Sequence, residues 1–95
     1  MRILIVENDA SLGRFMRGLF EGWGYEARHC VRGKDAVKHF SARSYDLVLM
    51  EVLLPDMKGE DLISRLKGIS PDARIVAMTG DNSREMESRI RERGI

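Results

Sequence analysis

Leu47-Val48-Leu49-Met50 is an unbroken apolar run held between Asp46 and Glu51. Four residues are too few for a helix, and the lack of polar alternation fits a strand covered on both faces. Strands of that kind occupy the middle of parallel sheets, and the crevice of an open α/β fold lies beyond their carboxyl ends. Glu51 stands at that end, and Pro55 and Gly59 break the chain before it turns back. An acid at the mouth of a central strand is the feature around which the remaining residues have to be arranged.

Ile3-Leu4-Ile5-Val6 is a second run of the same type, ending in Glu7-Asn8-Asp9. Asp9 or Ser11 can cap a following helix whose apolar stripe is Leu12, Phe15, Met16, Leu19 and Phe20. Gly22 and Gly24 stop it, with Trp23 between them covering its end. Residues 25–31 alternate weakly and read as an outer strand. Gly33 starts a second helix with Ala36, Val37 and Phe40 inward. A third helix is expected from about Glu60 to Lys67, with Leu62, Ile63 and Leu66 inward, closed by Gly68 before the Ser70-Pro71-Asp72 turn. Ile75-Val76-Ala77-Met78 is a fourth strand ending at Thr79-Gly80, and Asp81, Asn82 or Ser83 caps a last helix through Arg93. In that last helix Glu85-Arg89 and Glu87-Arg91 stand at (i, i+4) spacing and mark a solvated face. Regular alternation of strand and helix predicts a parallel sheet with right-handed crossovers. The expectation is one three-layer α/β domain over residues 1–95.

Composition narrows the function. A net charge of +1 gives no electrostatic reason for nucleic acid or an anionic membrane as partner. The single cysteine, Cys30, excludes an intramolecular disulfide and suits a reducing compartment, as a small packed side chain. The first apolar run is too short for a signal peptide and none is long enough to span a bilayer. A cytoplasmic location is therefore expected. His29 and His39 do not form a ligand pair in this pattern and read as ordinary strand and surface residues.

Three strand ends carry polar groups that parallel strands would bring to one edge: Glu7-Asn8, Glu51 and Thr79. Carboxylate and amide oxygens suit a hard cation such as Mg²⁺. A plainer reading makes residues 7–9 a capped strand-to-helix turn and Thr79 a helix-entry residue.

With ILIVEND, YDLVLMEVLLPDMKG and IVAMTG in this order and spacing, the chain resembles the receiver domain of two-component response regulators. The resemblance covers the whole chain. It implies a flavodoxin-like sheet of order 2-1-3-4-5 with five helices, and an aspartate at the end of the third strand that accepts a phosphoryl group. It also implies an acidic pair that helps to hold Mg²⁺, a Ser or Thr ending the fourth strand, and a lysine ending the fifth. Position by position, Glu7 and Asn8 take the acidic pair, Glu51 the phosphoacceptor, Thr79 the switch hydroxyl, and the Leu53 carbonyl the main-chain metal ligand. Asn8 lacks the family's carboxylate, and Glu51 is one methylene longer than the acceptor. The residues end at Gly94-Ile95, where the family continues, so an order 2-1-3-4 lacking the fifth strand and helix is expected, without the lysine.

These differences weaken one chemistry. In-line phosphoryl transfer needs metal and lysine to neutralise developing charge. A methylene displaces the carboxylate by about 1.5 Å, and about 1 Å of misplacement can cost roughly a hundredfold in rate. The expectation is a non-enzymatic signalling module that works without aspartyl phosphorylation, with Glu51 as a standing mimic of the phosphorylated state and Mg²⁺ bound weakly at most. Its partners would be a histidine kinase, an output or other signalling protein, and a second copy meeting the fourth strand or the face beside it. The alternatives are a Mg²⁺-dependent phosphoacceptor using Asp56 or Asp9, and a structural dimerisation unit with a relic pocket.

Overall fold

The computed structural model describes residues 1–78. Strands β1 (Arg2–Val6), β2 (Glu26–Cys30), β3 (Leu47–Glu51) and β4 (Ile75–Met78) alternate with helices α1 (Ala10–Gly22), α2 (Gly33–Ala42) and α3 (Gly59–Ile69). They form a four-stranded, all-parallel sheet in the order β2-β1-β3-β4. The expected architecture and strand order are therefore present. Thr79 and the last expected helix lie outside the described residues.

Each strand end follows from local chemistry. Side chains alternate across a strand, so Leu4 and Val6 face one layer and Ile3 and Ile5 the other. Leu4, Val6, Val48, Met50 and Ile75 pack with Ala36 and Phe40 of α2 and Leu62, Ile63 and Leu66 of α3 in one core. Ile3 and Ile5 are fully buried outside that cluster, on the face that α1 covers. Fully burying aliphatic side chains of this size is worth roughly 1.5–3 kcal/mol each, which is why residues 3–6 and 47–50 of the two inner strands are all apolar.

One expectation about a helix end needs correction. Gly68 does not close α3, which continues to Ile69 and ends at Ser70. Pro71 is the physical stop: the residue before a proline is pushed out of helical geometry, and Ser70 sits at φ −140°, ψ 103°. The apolar stripe on α1 is only partly covered. Gly13 is its buried residue, whereas Leu12, Phe15 and Leu19 are exposed. Trp23 is exposed too, meeting Phe20 edge-on at 5.8 Å. Asp9, not Ser11, is the N-cap, accepting from the N–H groups of Ser11 and Leu12. Gly24 takes φ +90°, a left-handed turn that a side chain would oppose.

The chain runs outward from β1 to β2, crosses back over β1 to β3, and continues to β4. The direction of winding reverses between β1 and β3. A crevice opens beyond the carboxyl ends of strands at such a point, and Glu7, Asn8 and Glu51 emerge there.

Candidate functional site

Glu7 follows the last residue of β1 and is buried, with 3% of its surface exposed. Burial leaves its side chain a polar partner, because Oε2 accepts the Asp9 N–H at 2.9 Å. Its backbone is held on both sides: the N–H donates to Cys30 O at 3.0 Å, and the carbonyl accepts from His29 Nε2 at 2.9 Å. His29 reaches that carbonyl because Gly13 leaves room for its ring; a Cβ there would run into it. His29 is thus not an ordinary strand residue but a support for the turn that carries Glu7.

Glu51 ends β3 and is partly buried. Its Oε1 lies 3.4 Å from the Leu53 N–H, a long bond that turns the carboxylate back over its own turn. Burial raises the Glu51 carboxyl above the usual carboxylate range; the Leu53 N–H opposes this and the nearby Glu7 charge adds to it. Val6 and Met50, the residues before the two acids, are register partners in the sheet, so both acids leave the same edge. Asn8 closes the group: its Nδ2 donates to the Leu53 carbonyl at 3.0 Å, linking the turn after β1 to the turn after β3. Four of the five expected positions, Glu7, Asn8, Glu51 and Leu53, therefore meet. Thr79 lies outside the described residues.

The turn after β3 is built by backbone. Leu53 bridges Lys58, and the Gly59 N–H donates to Val52 O at 3.1 Å. Gly59 has no substitute: an added Cβ would lie 2.7 Å from Val52 O and 3.0 Å from Val52 Cα. Asp56, within this turn, reaches α2. Its two oxygens accept the N–H groups of Gly33 at 2.8 Å and Lys34 at 2.9 Å. Arg32, at the N-cap position, makes no side-chain cap; Asp56 supplies it from a distant part of the chain. Slight desolvation of this exposed residue works to raise the Asp56 carboxyl, but the N–H donors of Lys34 and Gly33 outweigh it and hold the group below its ordinary range.

As arranged, the crevice does not fit a hard dication. The Leu53 carbonyl faces the NH₂ group of Asn8, which repels a cation, and Glu7 already takes the Asp9 N–H. Among the described residues no three His, Cys, Asp or Glu side chains cluster as metal ligands. Asp9 and Asp56, the substitute phosphoacceptors considered from sequence, both hold helix N-termini. Cys30 is buried as expected, and burial, aided by Asp35 and Asp56, pushes its thiol up to about 12. No helix among the described residues is long and apolar enough to cross a membrane.

The decisive comparison is with protein families: the model described as the response regulator receiver domain matches residues 3–95. The chain belongs to the response regulator receiver family. Over 79 residues it is 33% identical to the response regulator receiver protein CpdR of Brucella abortus, covering 83% of this chain and 66% of that one. It is 32% identical over 83 residues to the transcriptional regulatory protein ZraR of Salmonella typhimurium, covering 87% of this chain but 19% of that protein. Among solved structures, a CheY-like receiver domain protein from Methanospirillum hungatei superposes with a TM-score of 0.93 at 26% identity, covering 98% of this chain and 74% of that one. This receiver thus spans about two thirds or less of both curated relatives. Membership places it in two-component signal transduction.

Proposed function

We propose that this receiver is a phosphorylation-independent interaction module, in which Glu51 presents a permanent negative charge to a protein partner in the pathway. The observation that carries this reading is the Glu51 carboxylate itself: partly buried at the end of β3, beside Glu7, and taking the Leu53 N–H. The family's acceptor position is thus filled by a charged side chain that already takes a backbone donor, which supports a charge present without phosphorylation. The engagement of Asp9 and Asp56 in helix caps supports the same reading, because moving either into an in-line role would unseat a helix end.

Pull-down of signalling proteins from the source cell with wild type, Glu51→Gln and Glu51→Asp tests it. Partners held by wild type should be lost with Glu51→Gln, which keeps shape and removes charge. Equal recovery by both rejects the charge. In parallel, treatment with a small phosphoryl donor followed by intact mass should leave wild type unchanged; a mass gain of one phosphoryl group at high stoichiometry rejects phosphorylation independence. Glu51→Asp is the variant expected to regain some acceptor chemistry.

Self-association with a second copy is part of this proposal. Among the described residues β4 pairs only with β3, and Val76 on it is 47% exposed. A strand edge left unpaired among the described residues is a template for another strand. Light scattering should show a mass rising above the monomer with concentration; a constant monomer mass removes this element.

A further inference from the structure

We propose that the Asn8 amide stands in for a bound cation, a positioning residue that ties the Leu53 carbonyl to the turn after β1 so that the crevice keeps its shape without metal. The chemistry of the contact carries the assignment. The Asn8 atom 3.0 Å from the Leu53 carbonyl oxygen is Nδ2, since two acceptor oxygens at that distance would repel and an amide NH₂ donates. A dication in the same place would need the amide turned by half a rotation, to offer Oδ1, and would compete for the carbonyl. The charge balance agrees. With an acid at position 8, three carboxylates would crowd one opening and a cation would be needed to hold them together. With Asn8, only Glu7 and Glu51 remain, and Glu7 is satisfied by the Asp9 N–H.

The inference concerns how the site is held and does not depend on which partner Glu51 meets. It is tested by thermal unfolding of wild type, Asn8→Ala and Asn8→Asp, each in chelator and in about 10 mM Mg²⁺. Wild type should melt at the same temperature in both. Asn8→Ala should fall by roughly 3–8 °C, the loss of one net hydrogen bond in a domain this size, and Mg²⁺ should not restore it. Asn8→Asp should fall further in chelator and recover in Mg²⁺, by roughly 5–10 °C for a site of about millimolar affinity. That recovery distinguishes a cation-replacing amide from a merely structural one.

A rise of similar size for wild type in Mg²⁺ would overturn the proposal, as would an Asn8→Asp protein that ignores the metal. If Asn8→Asp does not fold, wild type alone decides. Titrated with Mn²⁺ and followed by amide NMR, it should show no selective broadening at Glu7, Asn8, Glu51 and Leu53 below millimolar concentration. Selective broadening at those amides refutes the stand-in.

Discussion

Replacing Asp56 with Ala should weaken the domain through a helix that Asp56 does not belong to. The carboxylate closes the N-terminus of α2 with two bonds, 2.8 Å to the Gly33 N–H and 2.9 Å to the Lys34 N–H, and Arg32 makes no side-chain cap in its place. Losing an N-cap side chain costs about 1 kcal/mol, with a range of roughly 0.5–2. An anion at a helix N-terminus adds about 0.3–1 kcal/mol, discounted here because Asp56 is exposed. A loss of about 1–2 kcal/mol results, or roughly 4–16 °C in Tm for a domain of this size. Asp56→Asn, which keeps one acceptor, should lose about half as much.

The same residue sets a pH signature. Its carboxyl is held below its ordinary range, with burial opposing and the Lys34 and Gly33 N–H groups prevailing. A depressed carboxylate contributes stability that is complete above its unfolded value of about 3.9 and is lost as pH falls through the folded one. The gap between wild type and Asp56→Ala should therefore be constant from neutrality to about pH 5 and close below about pH 4. Urea unfolding at several pH values measures it. A gap under about 0.5 kcal/mol at neutrality, or one that widens on acidification, would refute the reasoning.

Other variants probe the parts separately. Gly59→Ala should cost about 1–3 kcal/mol by overpacking, because its Cβ meets backbone atoms of Val52 that cannot rotate away; chemical denaturation reads this directly. Gly13→Ala should displace the His29 ring at a similar cost, and pairing it with His29→Ala should cost less than the two separate losses together, a coupling that a double-mutant cycle detects. Glu51→Gln should raise Tm at neutral pH by a few degrees at most, since burial and Glu7 disfavour the Glu51 charge despite the Leu53 N–H. A raised carboxyl destabilises the fold once ionised, so this gain should vanish as pH falls below about 4. Cys30, with its thiol at about 12, should resist alkylation at neutral pH in the folded protein and react on unfolding; rapid native labelling would contradict its burial.

What could be read from the residues and what could not divide along the range of the interactions involved. Strands β1, β3 and β4 announced themselves as unbroken apolar runs, although in β4 Val76 is exposed. The acids after β1 and β3 were legible because parallel strands oblige their ends to share an edge. Asp56 looked like a loop acid or a spare phosphoacceptor, since its partners lie 22 and 23 residues away and only folding brings them near. His29 looked idle for the same reason: its bond to the Glu7 carbonyl spans 22 residues. Gly13 inside α1 marks the close approach of the His29 ring, but Gly18 in the same helix faces open space, so a helical glycine alone did not point to it. Asn8 was read as a substitution that weakens a metal site, but the direction of its amide depends on the Leu53 carbonyl facing it. The end of α3 was misplaced because Gly68 drew attention from Pro71, whose steric demand acts one residue back.

The bond from His29 to the Glu7 carbonyl gives the outermost strand a mechanical grip on the innermost acid. A molecule that binds along β2 and shifts it has two outcomes open to it: the imidazole lets go, or the turn bearing Glu7 moves as well. Events on the rim of the sheet therefore have a physical path to its charged centre, through the ring seated against Gly13 of α1 and through the Cys30 carbonyl that also holds Glu7.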